Sequence, residues 1–204
     1  MNVSFYIKGL IFGFSIAAPV GPIGILCLRR SLAGGWRAGL YTGLGAATAD
    51  ALYGCLAAFG LAGITGILVD QKNWIQLLGG LFLCWLGIRI FRAPGTGVKQ
   101  PENGDNAATG YLSALALTLT NPMTILSFAA VFAGMGLGSS AGGPAAAGWL
   151  VAGVFCGSMA WWTVLSAASS RFKRHIGDGT MGWINRFSGA VLTVFGLIAV
   201  FGRF

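Results

Sequence analysis

From Asn106 through Ser170 the chain carries no charged residue. A segment of that length cannot cover a water-facing surface, because a soluble domain draws about a quarter of its residues from Asp, Glu, Lys and Arg. The rest of the chain follows suit: 9% of its 204 residues are charged and 55% are hydrophobic. Lipid is the alternative solvent, and there the backbone must be satisfied internally by helices or a closed barrel. The apolar stretches are long and lack the strict alternation of barrel strands, which selects helices. The expected fold class is an all-α membrane protein.

Six transmembrane helices are expected, at about Phe5–Leu28, Ala38–Leu61, Trp74–Phe91, Gly110–Met135, Ala145–Ser169 and Trp183–Phe201. The first contains an uncharged run from Gly9 to Leu28, too long for a signal-peptide core, so it reads as a span and not as a cleaved leader. Residues 93–109 form a Gly/Pro/polar stretch, read as a flexible cytoplasmic linker between three-helix units 1–92 and 110–204. Ten of the thirteen Lys and Arg residues lie in the loops after spans one, three and five or at the adjoining span ends. They include Arg29, Arg30, Arg37, Arg89, Arg92 and Arg171. The positive-inside rule places those loops in the cytoplasm and both termini on the other side. This distribution accounts for the net charge of +8. No separate basic domain exists to bind nucleic acid.

The two halves read as copies. Trp74, Ile75, Gly80, Leu83 and Gly87 recur at one constant offset as Trp183, Ile184, Gly189, Leu192 and Gly196. Pro22, Ile25 and Leu26 recur as Pro122, Ile125 and Leu126, and Gly43 has its counterpart in Gly153. Three spans per half is an odd number, so the second copy must lie inverted. Inverted repeats with interrupted helices are a transporter signature.

Interruptions are expected in helices 1 and 4. In Ala18-Pro19-Val20-Gly21-Pro22 each proline removes an N–H and blocks a backbone bond, so a turn unwinds and leaves a half-helix N-terminus near the midplane. Such an end suits a carboxylate. In Thr118-Leu119-Thr120-Asn121-Pro122, Asn121 can cap the helix that Pro122 begins. Asp50 is the only acidic residue inside any span. An ionised carboxylate there costs at least about 2.5–3.5 kcal/mol, so it calls for a cation or a proton. Tyr53 and Thr48 lie close enough in sequence to complete its surroundings, and Thr118 and Thr120 could solvate an ammonium. Trp161 and Trp162 could line a cavity, although interface anchoring or lipid contact is the favoured reading.

Two other functions fit the sequence less well. Cys27, Cys55, Cys84 and Cys156 form no CxxC pair, and Cys27 and Cys156 do not sit at equivalent repeat positions, which argues against a thiol-disulfide electron carrier. No span holds a His/Cys/Asp/Glu cluster, which argues against a metal-cation exporter and gives no metal site. No cofactor is implied.

The six spans, Ala18-Pro-Val-Gly-Pro22, the Gly45–Asp50 stretch and Asn121-Pro-Met-Thr-Ile-Leu-Ser127 together resemble the lysine exporter/homoserine-threonine exporter family of bacteria. The resemblance covers nearly the whole chain. It implies an exporter of an amino acid or related metabolite in the bacterial inner membrane, driven by proton antiport, and not an enzyme. The partners implied are the amino acid, protons and lipid, with a second copy of the chain as a candidate. Carried over, Pro19, Gly21, Pro22, Asp50, Asn121 and Pro122 are the functional positions. Together with Tyr53 and Thr120 they form the expected substrate site, with Asp50 as proton carrier. Many members follow Asn-Pro with Lys-Ala, whereas this chain has Met123-Thr124.

Overall fold

The structure is a computed structural model describing residues 2–19, 21–58, 71–93, 107–121, 124–125, 127–128, 143–172 and 178–201. Pro122, linker residues 94–106, loop residues 129–142, and Lys173 and Arg174 lie outside the described residues. The described part is helical: α1 (Asn2–Ala17), α2 (Pro22–Gly34), α3 (Trp36–Ala58), α4 (Lys72–Phe91), α5 (Ala107–Leu119), α6 (Gly143–Phe172) and α7 (Asp178–Phe201). Two of these are long and apolar enough to cross a membrane: α6, and α7 over Gly182–Phe201. A third follows if α1 and α2, bent by 82° at their junction, count as one broken span.

The break between α1 and α2 has a local cause. Ala18 still donates to the Phe14 carbonyl at 3.0 Å, but Pro19 and Pro22 have no N–H to continue the ladder. The chain restarts with Pro22 in the first turn and extended Gly21 as N-cap, an arrangement proline favours. A second break follows α5. There Asn121 donates to the Thr118 carbonyl at 3.2 Å, one residue short of α-helical spacing. Helix resumes with Ile125 donating to the Asn121 carbonyl at 3.2 Å, as Ile25 donates to the Gly21 carbonyl at 3.1 Å. Each restart closes its first bond onto the residue that precedes a proline.

Glycine decides which helices meet. In lipid, association relies on close van der Waals packing, which small residues permit. The most extensive interface joins α1 to α6, followed by α4 with α7, while α3 packs between α5 and α6. A methyl on Gly9 or Gly13 would fall on the carbonyl oxygen of Leu150 or Val154. From the other side, one on Gly153 or Gly157 would fall on that of Tyr6 or Leu10. Between α4 and α7 the contacts are reciprocal: Gly80 and Gly196 approach each other's carbonyls, and so do Gly87 and Gly189. The apolar interior, with Leu26, Leu117, Trp162 and Leu192 buried, also holds polar side chains: Ser31, Thr42, Asp50, Ser158, Ser166 and Ser188 are buried. Large apolar side chains such as Trp74, Leu78 and Trp85 on α4 and Phe187 on α7 point outward. Such an apolar outer surface suits a lipid surround.

Arg30, read among the basic residues of the first cytoplasmic loop and its adjoining span ends, lies inside a helix. The first span does not stop at Leu28; α2 continues to Gly34, where Gly35, at φ 87°, turns its N–H back to the Ser31 carbonyl. Arg30 is therefore carried inside and is 5% exposed. It donates to Thr42 Oγ1 and the Gly110 carbonyl, both at 3.2 Å, and to Ser113 Oγ at 2.8 Å. One guanidinium thus joins α2 to α3 and α5. Bonds from a charged donor are each worth about 1.5–3 kcal/mol. Arg30→Ala should lower the thermal midpoint of the detergent-purified protein by several degrees. Arg30→Lys should recover only part, since an ammonium cannot reproduce the fork. An unchanged midpoint in Arg30→Ala would show that the tie holds nothing.

Candidate functional site

A cavity of about 60 Å³ lies where the two helix breaks face α3 and α6. On the α1–α2 side its wall is Ile16, Ala17, Pro19, Gly21, Pro22, Ile23 and Gly24. Ala46 and Asp50 come from α3, Thr118 from α5, Asn121 and Thr124 from the second break, and Trp162 from α6. A buried water needs roughly 10–15 Å³ by this measure, so the space holds about four waters, or the polar head of a small solute.

The break supplies donors. Gly21 makes no side-chain cap, and the first intrahelical bond of α2 starts at Ile25. Helix geometry leaves the earlier amides, those of Ile23 and Gly24, without an intrahelical acceptor. Both residues line the cavity, at the positive end of the α2 dipole.

Asp50 supplies the charge. It is 3% exposed, and Ser158 Oγ on α6 donates to its Oδ2 at 2.7 Å. Trp162 Nε1 in turn donates to Ser158 Oγ at 3.1 Å. Trp162 reaches this place because Gly43 on α3 leaves a slot: a methyl on Gly43 would strike the Trp162 Cβ. The indole is 4% exposed, a core residue and not the interface anchor expected from sequence. The cavity wall thus offers both amide donors and a carboxylate, a combination that complements a zwitterion.

Of the residues expected at a site, Pro19, Gly21, Pro22, Asp50 and Asn121 line this cavity together. Tyr53 and Thr120 are placed elsewhere. Tyr53 donates from its hydroxyl to the Leu119 carbonyl at 2.6 Å, and its ring lies against Phe128. Thr120 donates to the Ala116 carbonyl at 2.8 Å and packs by Gly79 of α4. Thr48 donates to the Leu44 carbonyl, not to Asp50. Ser158 and Thr124 carry no site reading from sequence, and Trp162, which lines the cavity, has there only the less favoured reading as a cavity residue. Ser158, Trp162, Ser166 and Ser169 do recur at helical spacing on one face of α6, a signal that could have found two of them.

Comparison with known proteins gives a consistent result. The sequence profile of the LysE type translocators matches residues 14–202. An uncharacterized membrane protein, YahN, from Escherichia coli (strain K12) is 31% identical over 179 residues, covering 85% of this chain and 79% of its own. A putative amino acid efflux protein, YcgF, from Bacillus subtilis (strain 168) is 27% identical over 203 residues, 96% of this chain and 94% of its own. The threonine efflux protein of Escherichia coli (strain K12) is 27% identical over 151 residues, 67% and 70% of the two chains. No solved structure matches.

Proposed function

The chain belongs to the LysE type translocator family of integral membrane proteins, and from that premise we propose that it exports a small amino acid by proton antiport at Asp50. The observation that carries this reading is the cavity itself, where a buried carboxylate on α3 faces two interrupted helices. The substrate carboxylate sits on the Ile23 and Gly24 amides and near Asn121 and Thr124; its ammonium pairs with Asp50. A proton from outside then discharges Asp50, the substrate leaves, and the neutral carboxyl returns to release that proton to the cytoplasm. One proton enters for each amino acid exported.

The architecture proposed is six spans in two inverted repeats, 1–92 and 110–204, in a bacterial inner membrane with both termini outside the cytoplasm. Three observations support the repeat. The Gly80–Gly196 approach maps onto Gly189–Gly87 when the halves are exchanged. The helix restarts at Gly21 and Asn121 occupy corresponding positions. The α1–α6 interface has its counterpart in α3–α5, where Gly45 meets the Tyr111 carbonyl.

Size and charge set the expected substrate. Asp50 is the one acidic group among the described lining residues, and a second substrate cation would meet no countercharge in a low dielectric. Small neutral amino acids such as threonine should therefore be preferred over lysine or arginine. A panel of radiolabelled amino acids, offered to inverted vesicles with an acidified lumen, tests this. The expected result is accumulation of threonine at roughly ten times the rate of lysine, the equivalent of 1.4 kcal/mol. Equal rates would contradict the assignment of Asp50 to the α-ammonium, and no accumulation of any amino acid would contradict the function.

A further inference from the structure

We infer that Ser158 is a positioning residue that commits Oδ2 of Asp50 to accept a hydrogen bond, so that the exchanged proton and the substrate ammonium use Oδ1, and that Trp162 acts through Ser158. This rests on the proposed role of Asp50 and goes beyond it in naming the atoms.

The direction of the chain of bonds follows from its ends. An indole N–H can only donate, so Trp162 fills an acceptor position on Ser158 Oγ. The single Ser158 proton is then directed at Asp50 Oδ2, 2.7 Å away. Ser158 departs here from the common habit of hydroxyls inside helices, which donate to the carbonyl one turn back. In this chain Thr42, Thr118 and Ser169 do so, onto Ala38, Ala114 and Leu165. Ser158 is fully buried, so water does not compete for its proton. When Asp50 is ionised, Oδ2 is satisfied by Ser158 and Oδ1 faces the ammonium. When it is neutral, the new O–H bond forms on Oδ1 and Oδ2 remains the acceptor. The indole also lines the cavity, so an occupant resting on it is linked to the carboxylate through two hydrogen bonds.

Other titratable groups do not supply this control. Tyr53, one turn along the same helix, gives its hydroxyl to the Leu119 carbonyl. On α2, Cys27 lies against Ser166 and Gly39, and Arg30 against Thr42, Gly110 and Ser113. Among the described residues α1, α5 and α6 bring no titratable side chain to the cavity wall.

The test titrates the infrared carbonyl band of protonated Asp50 in purified protein, assigned by its absence from Asp50→Asn. No substrate is needed. Ser158→Ala should move the midpoint of that band by about one pH unit, a tenfold change in proton affinity. Trp162→Phe, which keeps a ring and loses the N–H, should move it the same way by less. The double variant should move it no further than Ser158→Ala alone. Unmoved midpoints, or a double shift equal to the sum, overturn the inference, and should Ser158→Ala not fold, an unmoved Trp162→Phe does so by itself. If no band depends on Asp50 at any pH, both this inference and the antiport reading fall. If the midpoints move as expected while the transport panel is negative, only the function fails.

Discussion

Asp50→Asn is expected to reduce proton-driven export by on the order of 100-fold or more, with the protein still inserted and folded. The substitution preserves shape, and its amide oxygen can still accept from Ser158. The substrate ammonium, however, loses its countercharge, an attraction of about 4 kcal/mol at 4 Å for an effective dielectric of 20. The cycle also loses its proton carrier. An amide is easier to hold inside a membrane than a carboxylate, so insertion should not suffer. A purely structural Asp50 gives a different result, with flux falling only as far as the folded population. The measurement is flux per folded molecule, with the folded amount read from detergent size exclusion. Near-normal flux in Asp50→Asn would remove Asp50 from the coupling site.

Gly157→Leu should have the largest effect on stability. A Cβ built there falls on the Leu10 carbonyl oxygen and lies 2.9 Å from the Phe14 nitrogen, so the obstacle is backbone and cannot rotate away. Helices α1 and α6 must separate across the largest interface of the fold. Overpacking in a core typically costs about 1–3 kcal/mol, and a backbone clash belongs at or above the upper end. Separation also displaces Ile16 and Ala17 from the cavity wall, so export should fall with stability. Gly148→Leu on the same helix is the control, since its Cβ would meet open space. Thermal unfolding in detergent should show a drop of ten degrees or so for Gly157→Leu and little change for Gly148→Leu, on the usual scale of about 2–4 °C per kcal/mol. Equal midpoints for the two variants would mean that glycine spacing is not what brings α1 onto α6.

Features that act along the chain were legible before any coordinates. Two prolines three residues apart cannot sit in an unbroken helix, so the break between Ala17 and Pro22 follows from local chemistry. Asp50 stood out because a lone carboxylate in an apolar segment is costly. Features that depend on what lies across an interface were not legible. Ser158 in an apolar helix is indistinguishable from a packing serine until α3 is placed beside it. Trp162 turns inward only because Gly43 faces it on another helix. Tyr53 is one turn from Asp50, yet its long side chain carries the hydroxyl across to Leu119. Arg30 was misplaced by a boundary error: ending the span at Leu28 overlooked Gly34-Gly35, the residues at which α2 stops.

The central claim, that proton entry and amino-acid exit share one site, is tested most directly in inverted vesicles with a pH-reporting dye in the acidified lumen. Threonine added to the exposed cytoplasmic face should enter the lumen and raise its pH, in proportion to the threonine accumulated. Both changes should be absent with Asp50→Asn and with a protonophore present from the start. Threonine uptake that proceeds at the same rate without a gradient, and that leaves lumenal pH unmoved, would contradict the account.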